Sequence, residues 1–106
     1  MSSFIEKLIP QDIKKKIPPL YATEEQKDPI VYVKLFLPQS NWTWYITEMF
    51  SDGKLCFGYV VSPYGSELGY FSLEELSFIQ SNLGLFVERD LLFKPIKLSD
   101  IKRITR

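Results

Sequence analysis

Five carboxylates and one arginine are the side chains here that could do chemistry: Glu48, Asp52, Glu67, Glu88, Asp90 and Arg89. Paired carboxylates can hold a divalent cation or share acid–base work. If strand ends brought Glu48, Glu67 and Glu88 together, they would form an acidic cleft of that kind. Their spacing fits no D-x-D or EF-hand pattern, so the plainer reading is preferred, in which each is exposed or salt-bridged. Arg89 stands between Glu88 and Asp90 in a strand-forming run. An unpaired buried charge is costly, so Arg89 calls for an internal ion pair with Glu67 or Glu48, or for a bound anion. The ion pair is the preferred reading.

Other chemistry is excluded by composition. The chain has no histidine, which removes His-based acid–base catalysis, Cys–His pairs and His metal sites. Cys56 is the single cysteine and lies in an apolar run, which reads as a buried, inert thiol in a reducing compartment. The glycines at 53, 58, 65, 69 and 84 are scattered and make no phosphate loop. No cofactor and no metal are expected.

The 13 basic and 13 acidic residues balance, so there is no bulk attraction for nucleic acid or anionic lipid. Their distribution is uneven. Residues 1–16 carry a net +2, residues 17–90 a net −6 and residues 91–106 a net +4. The run Lys14-Lys15-Lys16 reads as a solvated helix face. The start of the chain is too short and too charged for a signal peptide, and no apolar run approaches the ~20 residues of a membrane span. A cytoplasmic protein is expected.

These residues must be positioned by a sheet. Asn41 to Glu48 holds both tryptophans and is strand-forming throughout. Strict alternation puts Trp42, Trp44, Ile46 and Glu48 on one face and Thr43, Tyr45 and Thr47 on the other. At roughly 25 cal/mol per Å² and about 150–250 Å² per large ring, each tryptophan adds several kcal/mol before entropy is subtracted. Ile30–Leu37 is apolar on both faces and reads as a central strand with a layer on each side. Ser51-Asp52-Gly53-Lys54 predicts a tight primed turn into Leu55–Val61, where Gly58 leaves room for a neighbouring ring. A short strand over 67–71 follows, and Leu85–Phe93 reads as the last strand.

Helices are expected at the ends and between strands. Ser3 and Glu6 form a capping box before Phe4, and residues 11–16 read as helix after Pro10. Thr23-Glu24-Glu25-Gln26 suffices for one turn. Ser72 and Glu75 form a second box, with Phe71 stapled on Leu76, a stripe of Leu73, Leu76, Ile79 and Leu83, and Gly84 as stop. Ser99 caps a basic helix over 100–104. The whole is a single α+β domain over 1–106. An antiparallel meander of four to five strands carries two to three short helices on one face. Tyr32, Phe36, Tyr45, Tyr59 and Tyr70 share the remaining strand faces; such rings can stack nucleobases, and packing under helices is the preferred role.

Five segments in order, Asp28–Lys34, Ser40–Tyr45, Phe57–Val60, Glu67–Ser72 and Glu88–Leu91, resemble domain-of-unknown-function family 2958 from about Ile9 to Ile101. The resemblance implies a small single-domain bacterial protein encoded on plasmids, phages and other mobile elements, with no established activity. Together, residues and resemblance favour a non-enzymatic protein-binding module, in one version a modulator of a host defence system. Glu48, Tyr59, Glu67, Glu88, Arg89 and Asp90 are its candidate binding surface. One alternative is a nucleic-acid-binding protein, if the terminal helices lie side by side and pool Lys14, Lys15, Lys16, Lys94, Lys97, Lys102, Arg103 and Arg106. A metal-dependent enzyme built on the clustered carboxylates is the other.

Overall fold

Alternating apolar residues between Val33 and Ser72 build four strands of a five-stranded antiparallel sheet, completed by a short strand at Glu88–Arg89, in the computed structural model, which describes residues 2–105. Two short helices precede it, α1 (Ser2–Leu8) and α2 (Gln11–Lys14). The strands are β2 (Val33–Phe36), β3 (Thr43–Met49), β4 (Leu55–Ser62), β5 (Gly65–Ser72) and β6 (Glu88–Arg89), in the spatial order β5-β4-β3-β2-β6. A second sheet pairs β1 (Ile30–Val31) with β7 (Ile96–Lys97). One-turn helix α3 (Leu73–Leu76) follows β5, and α4 (Leu98–Ile104) follows β7. The α+β class and the antiparallel meander are as the sequence predicts, with four helices rather than two or three.

The helices do not share one face. Leu8, Ile9, Ile17, Leu73 and Leu76 pack with Leu35, Trp44, Ile46 and Cys56 in one core. Leu98 and Ile101 of α4 pack with Val31 and Tyr45 in a second, on the opposite side. The doubly apolar run at 30–37 anticipates this, because both its faces need cover. The run is split at Tyr32: Val31 enters one core and Val33 the other, while the Tyr32 N–H donates to the Ile46 carbonyl at 2.9 Å.

Register in the middle of the sheet is set by a bulge. Ile46 faces Gly58, but Glu48 faces Phe57, so Thr47 is an extra residue in β3. A bulge reverses the alternation beyond it. Trp44 and Ile46 stay in the first core and Met49 rejoins them, while Glu48 turns to the Phe57 side. Glu48 therefore does not share the Trp44 face, contrary to strict alternation. Gly58 makes room for backbone rather than for a ring: a Cβ there would sit 1.8 Å from the Tyr45 carbonyl oxygen.

Other elements also differ from local expectation. The β3–β4 turn closes with Gly53 N–H on the Phe50 carbonyl, and only Gly53 (φ +73°) is left-handed, so it is not a primed turn. Helix α1 begins at Ser2, ahead of the predicted cap, and the side chain of Ser3 lies outside the described residues. Residues 23–26 make a turn, not a helix. Ser72 does cap α3, its Oγ accepting from Glu75 N–H at 3.3 Å. The helix nevertheless stops after one turn instead of reaching Leu83. Ser77 Oγ takes the Glu74 carbonyl, and Ser81 Oγ accepts from the Leu83 and Leu85 N–H groups. Serine hydroxyls compete with helix hydrogen bonds in this way. The predicted strand 85–93 shrinks to Glu88–Arg89, because the Asp90 carboxylate accepts from Leu92 N–H and turns the chain away.

Candidate functional site

The six candidate residues do not form one surface. Glu67 lies on edge strand β5 and Glu88 on edge strand β6. Four strand spacings separate these edges, roughly 19 Å at about 4.8 Å each. Glu48 lies on the central strand between them, 3% exposed. The acidic cleft is therefore absent, and no group of three or more His, Cys, Asp or Glu among the described residues could hold a metal ion.

Glu48 is spent on structure. Its carboxylate accepts from Tyr21 N–H at 2.8 Å, Thr23 N–H at 2.9 Å and the Thr23 hydroxyl. Beside it, Met49 N–H donates to the Pro18 carbonyl at 2.9 Å. The buried charge thus anchors residues 18–23, with Tyr21 held at φ +69°. Neither Tyr21 nor Thr23 carries a sequence signal for this role. Tyr59 is also engaged: it packs beside Tyr45, and the Lys102 ammonium of α4 lies 5.6 Å from its ring centre. Burial, then the Asp90 charge, raises the Tyr45 hydroxyl above its ordinary pKa. Burial, then Asp52, pushes the Cys56 thiol up to about 12, which keeps it a thiol rather than a nucleophile.

Arg89 and Asp90 are brought together, but not as an ion pair. Asp90 bonds Lys34 twice, through its N–H to the Lys34 carbonyl at 2.9 Å and its carboxylate to Nζ at 3.5 Å. Arg89 pairs across the sheet with Leu35, and its Nε is buried without a hydrogen-bond partner. It forms no salt bridge among the described residues; Glu48 faces the other way and Glu67 lies at the far edge. The predicted internal ion pair does not form. Arg89 instead lines a cleft of about 120 Å³ with Ile13, Lys16, Tyr32, Lys34 and Asp90.

Two further places could bind something. A wider cleft of about 500 Å³ lies between α1, α2 and the β3–β4 turn. It is lined by Glu6, Asp52 and Glu74 against Lys14 and Lys54, with Lys54 paired to Glu74 at 3.0 Å. A groove of about 230 Å³ is lined by Tyr21, Thr23, Phe57, Leu68 and Tyr70. Strand β5 forms its outer wall; the backbone of its residues Ser66–Phe71 makes no hydrogen bond to any described segment other than β4, while the Tyr70 hydroxyl is hydrogen-bonded with that of Tyr21. The two basic helices do not pool their charges, although Lys16 shares a cleft with Phe93 and Pro95. Helix α2 packs with the first core and α4 with the second, and Arg103 is bound to Asp100 at 2.7 Å; Arg106 lies outside the described residues. No helix among the described residues is long and apolar enough to cross a membrane.

A family model described as a protein of unknown function (DUF2958) matches residues 6–105. Neither a curated protein nor a solved structure matches the chain.

Proposed function

The chain belongs to the family of proteins of unknown function DUF2958, and from that premise we propose that it is a non-enzymatic protein-binding module. Strand β5 is the element that receives the partner. The observation that carries this reading is the open edge itself. Eight residues long, it carries Glu67 as its only charge and has neither lysine nor proline to guard it. Unguarded edges of this kind accept another strand through main-chain hydrogen bonds. The opposite edge, β6, is two residues long and offers little.

Alternation specifies the partner. Leu68 and Tyr70, 45% and 53% exposed, flank the groove beside Phe57, whereas Glu67 and Gly69 face the other side. An extended partner segment with apolar residues at every second position would fill the groove while its backbone pairs with β5. A reducing, cytoplasmic setting suits the single buried cysteine. The family resemblance supports a mobile-element context, in which the partner belongs to a host defence system.

A displayed library of extended peptides, selected on the protein and mapped by amide hydrogen exchange, tests the reading. Selected peptides should alternate apolar residues and protect amides of residues 65–72. Leu68→Lys should abolish capture while the melting temperature holds within a few degrees. Peptides that bind as tightly to Leu68→Lys and protect other segments would overturn it.

A further inference from the structure

At the sheet edge opposite β5, strand β6 ends after Arg89, and the chain departs where a longer strand would have flanked Val33. The space left is the cleft bounded by Ile13 of α2 and Lys16 just beyond it, by Tyr32 to Lys34, and by Phe93 and Pro95. Its charge is one-sided. Lys16, Lys34 and Arg89 line it against the single carboxylate of Asp90, and that carboxylate is taken up by Lys34. Lys16 and Arg89 have no carboxylate partner among the described residues. The Nε of Arg89 is buried and has no protein acceptor among the described residues, so it is open to an acceptor from a ligand or a water in the cleft.

We propose that this cleft binds a phosphoryl dianion, either inorganic phosphate or the phosphate of a monoester. The excess of two positive charges matches the roughly −1.5 to −2 of a phosphoryl group at neutral pH. A guanidinium fork with a nearby ammonium is a recurrent way to hold its oxygens. The volume of about 120 Å³ exceeds what a single water needs. The Tyr32 and Phe93 rings and the Ile13 side chain limit solvent on the other walls. The site stands on residues of β6, α2 and their flanks and does not depend on the β5 edge.

Nitrogen–proton correlation spectra that include the Arg89 Nε–H group give a direct reading. Sodium phosphate is titrated against sodium chloride of equal ionic strength, with phenyl phosphate and acetate in parallel. Phosphate should move the Nε–H signal saturably. Arg89→Gln should weaken binding about tenfold, read from backbone amides around residues 32–34, and Lys16→Gln about threefold. Lys16 is exposed, so that variant decides the matter even if Arg89→Gln fails to fold. Phenyl phosphate binding at least as tightly as phosphate would identify a monoester as the ligand, and weaker binding would identify the free ion. A response no greater than that to chloride, an equal response to acetate, or affinities unchanged in both variants would overturn the proposal.

Discussion

Glu48 carries a charge into a site that is 3% exposed, and three donors from residues 21–23 meet it there. Glu48→Ala leaves those donors without an acceptor in a place water reaches poorly. A loss of about 3 kcal/mol is expected in urea denaturation, accompanied by new proteolytic cleavage within residues 20–26. An unchanged midpoint would mean that the carboxylate contributes nothing net. Gly58 is as constrained for a steric reason. Its missing Cβ is occupied by the Tyr45 carbonyl, so Gly58→Ala must push β3 and β4 apart at the bulge. At least about 3 kcal/mol of destabilisation should follow. A variant with the wild-type melting temperature would show that the bulge yields freely.

At the scale of elements, two short helices are held by single side chains from outside them. The backbone of α3 is capped by Ser72, and Ser72→Ala should lower stability by about 0.5–1 kcal/mol, measured by chemical denaturation. Helix α4 has no cap from Lys97. The Asp28 carboxylate serves instead, accepting from Ser99 N–H at 2.8 Å and from the Ser99 hydroxyl at 2.7 Å. These two bonds, the hydroxyl's first, hold Asp28 below its ordinary pKa of 3.8. A depressed folded pKa means that the unfolded chain takes up the proton first. The contribution is therefore whole above pH 3.8 and is lost as pH falls through the lower folded value. Hydrogen exchange of α4 should accelerate over that interval in the wild type, and Asp28→Asn should flatten the dependence. A variant that keeps the full acid response would assign it to another carboxylate.

Across the whole molecule, helices α2 and α4 of the two basic ends pack in different cores, and the ends meet at the cleft where Lys16 lies with Phe93 and Pro95. Lys102 is drawn over Tyr59, and Arg103 is paired with Asp100. A long nucleic acid would meet separate cations around a neutral body, with little counterion release to drive binding. No affinity tighter than about 10⁻⁵ M is expected for single- or double-stranded DNA or RNA at physiological salt. Titration at two salt concentrations checks this. Submicromolar binding that weakens in a Lys14, Lys15, Lys16 and Arg103 neutralised variant would favour the nucleic-acid alternative.

Features that depend on neighbours along the chain were legible in the residues alone. Period-two runs placed β2, β3, β4 and β5, Ser72 marked the start of α3, and the two-sided apolar run at 30–37 called for cover on both faces. The same reading singled out Arg89 as a charge in need of a partner, and it remains one. The remaining features depend on residues brought together from far apart. One extra residue at Thr47 moved Glu48 from the tryptophan face to the loop at 21–23, and no local pattern marks it, because threonine suits a regular strand and a bulge equally. Serine and aspartate side chains at 77, 81 and 90 ended a helix and a strand that periodicity would have continued. Asp28 found its partner 71 residues away, at the start of α4. The early end of β6 then opened the cleft at Arg89, since a backbone that leaves the sheet edge leaves behind the space its next residues would have filled.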